Sequence, residues 1–163
     1  RKDNYENYIS LHFRLGDYLH LQEYHAVLNI SYYEKALKYL LERFEEKKLL
    51  KGGDGVSLPK WKVLYCCEEG DIEHVKKNIA LLRKSLPKEI VFERIENKYA
   101  DWEQMLIMSL CAHNIIANST FSWWGAYFND KEDKIVCYPS KWFGPKLADK
   151  NTKDICPEEW VSI

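Results

Sequence analysis

The sequence contains no apolar run long enough to cross a bilayer. Its longest, around Met105 to Ala117, is broken by His113 and Asn114 and falls short of the ~20 residues a spanning helix needs. No sign of charge dominates: 24 Lys and Arg against 25 Asp and Glu give a net charge of -1. No global field therefore draws the chain to nucleic acid or an anionic membrane. With 7 Gly and 5 Pro in 163 residues and 46% hydrophobic content, collagenous, disordered and linker-like chains are excluded, and one core of ordinary domain size is expected over residues 1–163. There is no Cys-x-x-Cys pair and no closely spaced His pair, so no structural metal is expected. Cys66, Cys67, Cys111, Cys137 and Cys156 are odd in number and mostly sit in apolar runs, which fits small hydrophobes in a reducing, cytoplasmic compartment. The start, Arg1-Lys2-Asp3-Asn4-Tyr5-Glu6, offers neither an initiator Met nor an apolar signal segment, so the chain is expected to belong to a longer protein. A membrane anchor in a preceding segment would instead place it in the Golgi lumen.

What is present is strand and helix in alternation. Tyr8 to Phe13 alternates bulky and polar residues and runs into Gly16-Asp17, the pattern of a strand entering a turn. From Ser31, an expected N-cap with Glu34 three residues on, apolar residues recur at helical spacing through Phe44. Lys51 to Pro59 holds three glycines and reads as a loop. Trp61–Cys67 and Ile90–Ile95 read as strands around a helix from Ile72 that Pro87 stops. Asp101 is expected to cap a third helix and His113 to close it. Asn114–Ala117 reads as a strand, Phe121–Phe128 as a helix and Lys134–Tyr138 as the last strand. About five short strands separated by helices imply an α/β, Rossmann-like parallel sheet with helices on both faces, since each parallel crossover needs a returning helix.

Ligands of such sheets bind beyond the carboxyl ends of the strands. Two segments stand out there. In His12-Phe13-Arg14-Leu15-Gly16-Asp17-Tyr18, a His, an Arg and an Asp leave the first strand around a glycine turn. Arg14 offers a planar fork of donors for phosphate and His12 a donor for phosphate or a base edge; equally, Arg14 and Asp17 could be an ion pair that locks the turn. The second segment, Ala117-Asn118-Ser119-Thr120-Phe121-Ser122-Trp123-Trp124-Gly125-Ala126, joins a buried strand to a helix with three hydroxyls beside its free amides, an arrangement suited to an anion. No Gly-x-Gly-x-x-Gly and no Walker lysine supports a dinucleotide or ATP-hydrolysis reading. The aromatic group Trp123, Trp124 and Tyr127 reads as core, and His20, His25 and His74 as surface. Asn118-Ser119-Thr120 fits the glycosylation pattern, but a glycan there would block the proposed anion site.

His12 to Tyr18 resembles the His-x-Arg-Arg-Gly-Asp-Tyr motif of the α-1,2-fucosyltransferases, and Met108 to Asn129 is similar to their long second signature. Tyr32-Tyr33 with Ala36, Val136 to Pro139 with Trp142, and Asp154 to Trp160 match in the same order. The resemblance implies a two-lobed enzyme of the glycosyltransferase B type, inverting at the sugar carbon, using GDP-fucose and no metal or other cofactor, of which this chain is the donor lobe. It implies that Arg14 binds the β-phosphate at the Gly16 turn, that His12 lies against the nucleotide, and that Asn118, Ser119, Thr120, Phe121 and Ser122 wrap the pyrophosphate. Two departures matter. Leu15 stands where the family has a second arginine, and the guanine acceptor falls on Glu103 or Gln104. Glu103 is the candidate, because a carboxylate can accept from both N1 and N2; as a helix N-terminal acid it could instead serve the helix.

The expected reaction is attack by an acceptor hydroxyl of a glycan on the anomeric carbon while GDP leaves, with Arg14 stabilising the departing charge. Asp17 and Glu23 are the candidate bases. The acceptor lobe is expected to lie in a preceding lobe or a partner domain. A noncatalytic nucleotide-sugar binding domain and a transferase of another nucleotide sugar are the alternatives.

Overall fold

The computed structural model describes residues 5–50 and 60–163; Lys51–Pro59, the segment expected to be a loop, lies outside them, as do the first four residues. Six strands form one all-parallel sheet: β1 (Tyr8–His12), β2 (Lys62–Cys66), β3 (Val91–Arg94), β4 (His113–Ile115), β5 (Val136–Tyr138) and β6 (Val161–Ser162), in the order β3-β2-β1-β4-β5-β6. The connections are α1 (Ile30–Leu50), α2 (Ile72–Ser85), α3 (Asp101–Leu110) and α4 (Thr120–Tyr127), with a 3-10 turn over Gly16–Leu19 after β1. The sheet thus has six strands rather than about five. The added β6 is two residues long, too short to carry any alternation of its own, and pairs with β5 through Cys137–Val161 and Tyr138–Ser162.

Alternation along β1 and β2 decides which face each side chain serves. Ile9, Leu11, Phe13 and Val63 join α1 and α2 in the larger core, with Tyr33, Leu37, Leu40, Val75 and Leu82. Leu64 and Cys66 turn to the other face, where Met108 and Cys111 from α3 and its end meet them. The third cluster, Ile116, Ala126, Val136 and Trp160, lies under α4. Gly125 lets α4 approach α3 closely, since a Cβ there would stand 3.3 Å from the Met105 carbonyl oxygen and the Met108 Cβ. All five cysteines are free, and burial pushes the thiols of Cys66, Cys111 and Cys137 up to about 12, which fits their expected role as small hydrophobes. Among the described residues, no helix is long and apolar enough to cross a membrane.

Several expected caps move. Asn29, not Ser31, opens α1: its Oδ1 accepts from the Ser31 N–H at 3.0 Å, while Glu34 pairs with Lys38 at 2.6 Å. Asp101 is the first residue of α3, after Ala100, because the Asp101 position is already helical. His25 is half-buried, stacked on Tyr18 at 4.5 Å. Of the aromatic group on α4, Trp123 packs on Trp160 while Trp124 and Tyr127 face solvent, since only one side of an eight-residue helix meets the sheet. His113 closes no helix but begins β4, buried beside Phe44 and Trp61, with its Nδ1 accepting from the Ile135 N–H at 3.0 Å. Burial pushes the His113 imidazole down to about 4 and that of His12 to about 3.

Both imidazoles are neutral in the fold and protonated in the unfolded chain between those values and about 6.5, so the unfolded chain binds more protons in that window. Stability is fully present above about pH 6.5 and is lost as pH falls toward 4. Urea denaturation at pH 7 and pH 4.5 is expected to differ by roughly 2 to 3 kcal/mol per histidine; equal stability at the two values would contradict the buried neutral state.

Candidate functional site

In the order β3-β2-β1-β4-β5-β6 the connections run outward in both directions from the β1/β4 boundary, the topological switch point at which open α/β sheets hold ligands. A cleft of about 360 Å³ opens beside it, over the ends of β1, β2 and β3 and against α3 and α4. It is lined by the residues that end strands and start helices: His12 and Arg14 after β1, Cys66 to Glu69 after β2, Asn97 and Tyr99 after β3, Asp101 and Gln104 on α3, and Phe121 on α4.

His12 is the last residue of β1 and 5% exposed, its ring 5.2 Å from Phe121. Its Nδ1 is buried with no hydrogen-bond partner among the described residues. The His12 carbonyl accepts from Tyr33 Oη at 3.1 Å, so α1 fixes the end of β1 from the far face. Burial, reinforced by the Arg14 charge, keeps the ring neutral.

Among the described residues, Arg14 is the one cationic side chain lining the cleft. One amino group donates to Asp17 Oδ1 at 2.6 Å and the other to Glu68 Oε1, with the guanidinium over the Tyr18 ring at 4.9 Å. The Arg14–Asp17 ion pair is therefore formed. Gly16 takes φ +40° in the turn, and its N–H donates to Asp71 Oδ2 at 2.8 Å. Leu15 is 4% exposed and packs in the α1/α2 core, so this position, where an arginine was expected, lies outside the cleft.

On the far side of the switch point, Ser119 holds the N-cap position of α4, and no side chain caps that helix. Its first-turn amides and macrodipole favour an anion. Phe121 lines the cleft, Thr120 is exposed, and Ser119 is buried. Ser122 is spent on the turn itself: its Oγ accepts from the Ala117 N–H at 3.2 Å and reaches the Ser119 carbonyl at 3.4 Å. Asn118 is 2% exposed and donates from Nδ2 to the carbonyls of Ala26 and Trp142 at 2.9 and 2.8 Å. Its amide is thus enclosed in the fold, away from any glycan, and its Oδ1 is buried without a partner.

Of the candidates, His12, Arg14 and Phe121 line the cleft, whereas Gly16, Asp17, Asn118, Ser119, Thr120 and Ser122 do not, and neither do Glu23 and Glu103. Glu23 is exposed and paired with Lys146 at 2.5 Å. The Glu103 carboxylate accepts the Ala100 N–H at 2.7 Å, the helix-serving role, and Gln104 faces the cleft instead. Gln104 Oε1 accepts from the Cys66 thiol at 3.1 Å, and its Nε2 donates to the Tyr99 carbonyl at 3.0 Å. The sequence reading missed Glu68, Glu69 and Asp101, the acids that do line the cleft. Glu68 and Glu69 directly follow a buried strand end, and that position was the available signal. Among the described residues, no group of three His, Cys, Asp or Glu side chains is placed to hold a metal ion.

The sequence pattern of Glycosyl transferase family 11 matches residues 2–163. The chain belongs to this family. It is similar to the O-antigen biosynthesis glycosyltransferase WbnK of Escherichia coli, 36% identical over 160 residues that cover 96% of this chain and 45% of that protein. It is also similar to an alpha-1,2-colitosyltransferase of Escherichia coli, 31% identical over 165 residues, 96% of this chain and 48% of the relative. The family 11 chain therefore spans about half the length of these relatives. No solved structure matches it at comparable significance.

Gly16 tests the turn that carries Arg14. Alanine there would take a left-handed φ and place Cβ 2.7 Å from Glu68 Oε2. Gly16→Ala is expected to cost about 1 to 2 kcal/mol in thermal or urea unfolding; an unchanged midpoint would mean the turn relaxes freely.

Proposed function

We propose that the chain is the donor-binding lobe of an inverting, metal-independent fucosyltransferase that takes a GDP-sugar and transfers the sugar to a hydroxyl of a glycan acceptor, in an α-1,2 linkage. The observation that carries the reading is the meeting of His12, Arg14 and Phe121 in one cleft over the strand ends, with the neutral His12 ring 5.2 Å from Phe121 in the first turn of a helix that no side chain caps. The volume, about 360 Å³, is within the range of small-ligand sites. The name of one relative raises colitose as the alternative sugar. A lobe of the glycosyltransferase B type fits the open Rossmann-like sheet, and the acceptor side is proposed to lie in parts of the enzyme beyond these residues.

As the acceptor oxygen attacks the anomeric carbon and the C–O bond to the diphosphate breaks, negative charge grows on the leaving pyrophosphate. The Arg14 fork and the α4 amides stabilise the charge that develops on departure more than the charge the bound donor already carries, which is the part of binding that lowers the barrier. Ser119 and Thr120 offer hydroxyls at the same helix end, while Asn118 and Ser122 act by holding the loop. Of the candidate bases, Asp17 shares the turn with Arg14 and Glu23 pairs with Lys146, so each carboxylate is held by a cation. A purine amide edge would find its acceptors among Glu68, Glu69 and Asp101 in place of Glu103.

Calorimetry with GDP tests the site. Arg14→Ala is expected to weaken binding by ~1.5 to 3 kcal/mol, the scale of hydrogen bonds to a charged group, and Arg14→Lys to recover only part because it lacks the fork. Equal affinity in all three proteins would remove Arg14 from the site. GDP binding is also expected to survive EDTA, the diphosphate being held by Arg14 and helix amides; a strict Mg²⁺ or Mn²⁺ requirement would overturn that part.

A further inference from the structure

We infer that Glu68 acts as a resident counter-anion on Arg14, occupying the prong that a ligand phosphate must take and thereby setting the site's preference for diphosphates over singly charged or smaller anions. The inference rests on the donor-site reading and deepens it. Both amino groups of Arg14 are held by carboxylates, one by Asp17 and one by Glu68. Asp17 belongs to the same turn and does not line the cleft; Glu68 does. The Glu68 prong is therefore the one that faces an incoming ligand.

A second, independent observation shows that the seat of this carboxylate is built into the fold. A Cβ on Gly16 would lie 2.7, 3.1 and 3.2 Å from the Glu68 Oε2, Cδ and Oε1, so the glycine leaves the space the carboxylate fills. The backbones on both sides are tied through Asp71, whose Oδ2 accepts from the Gly16 N–H at 2.8 Å and whose own N–H donates to the Glu68 carbonyl at 3.1 Å. With these backbones fixed, the Glu68 side chain is the part that can move. It is 53% exposed against 25% for Arg14, which also rests over the Tyr18 ring. The carboxylate can thus swing into water while the guanidinium stays in place.

The consequence is a difference of affinities. An anion gains on Arg14 only what it binds beyond the carboxylate it replaces. A single small anion replaces like with like and gains little. A diphosphate brings more charge and can reach a second group, so it outcompetes the glutamate. While the site is empty, the same glutamate keeps the fork extended, which lowers the cost of ordering it on binding. The population of Arg14 free of Glu68 scales the affinity of an anion that binds through this prong alone, while a diphosphate that also holds a second group depends on it less.

The probes are inorganic pyrophosphate and inorganic phosphate, measured by calorimetry at low ionic strength on the wild-type protein, Glu68→Gln and Glu68→Asp. Glutamine keeps the shape and removes the charge; aspartate keeps the charge and withdraws it by one methylene. Glu68→Gln is expected to bind pyrophosphate at least fivefold more tightly than wild type, to gain proportionally more for phosphate, and so to narrow the pyrophosphate-to-phosphate ratio at least threefold. Glu68→Asp is expected to fall between. Unchanged or weaker pyrophosphate binding in a Glu68→Gln protein with a wild-type melting curve overturns the proposal, as does the absence of a gain in Glu68→Asp should the glutamine variant not fold. A parallel titration with GDP separates the two readings: a wild type that binds no GDP fails the donor site itself, whereas GDP binding without the pyrophosphate gain fails only the counter-anion role.

Discussion

Strand β1 is paired in parallel on both edges and packed on both faces, and that constraint organises the molecule. A strand so enclosed has no free edge and no free face, so its function can only emerge at its end. Period-two alternation then dictates the outcome: Ile9, Leu11 and Phe13 belong to the α1/α2 core, and His12 is delivered to the opposite face, against Phe121. Adjacent tyrosines of α1 hold this end in register. Tyr33 reaches the His12 carbonyl, and Tyr32 reaches the Ile116 carbonyl at 2.6 Å, so both sides of the switch point are fastened from beneath by one helical turn.

Polar groups in the sheet are satisfied in the same economical manner. Asn114 on β4 donates to Ser10 Oγ on β1 at 2.7 Å and to the Met108 carbonyl on α3 at 2.9 Å, and accepts from Asn129 at 2.7 Å. Such a fully bonded buried network favours one packing of α3 and α4 over neighbouring alternatives. Against that background four buried side-chain atoms lack a partner among the described residues, His12 Nδ1, Trp61 Nε1, Arg94 Nε and Asn118 Oδ1, and two of them, on His12 and Asn118, occur in the segments that resemble fucosyltransferase motifs. Electrostatically the cleft is not a basic bowl. Among the described residues a single arginine sits with Glu68, Glu69 and Asp101, so recognition there depends on exchange of partners more than on attraction at a distance.

The sheet was legible in the sequence because each buried strand is a short apolar run set off by a helix of clear period, and the two motif segments fall at strand ends, where topology places ligands. Other features depend on distance information that spacing does not carry. Glu103 and Gln104 are neighbours on a helix, and which of them faces the cleft depends on the rotation of α3, fixed by Met108 and Gly125 far along the chain. Leu15 looked like a missing charge, yet it continues the Leu11 and Phe13 side of the chain into the core. The pairing of Glu68 with Arg14 spans 54 residues and rests on a side-chain gap at Gly16, visible only once β1 and β2 lie side by side.

Asn118 has one further consequence. Its amide joins the segment around Ala26 to the one around Trp142; the Gly144 N–H donates to the Tyr24 carbonyl, and a Cβ on Gly144 would run into the backbone of Gln22 and Glu23. These two stretches lack regular structure for most of their length, yet neither can open without breaking contacts in the other. They form one cooperative unit in the sense of local unfolding, so their bonded amides, Gly144 and Lys146 among them, would exchange with solvent deuterium together and more slowly than loops of their exposure usually do.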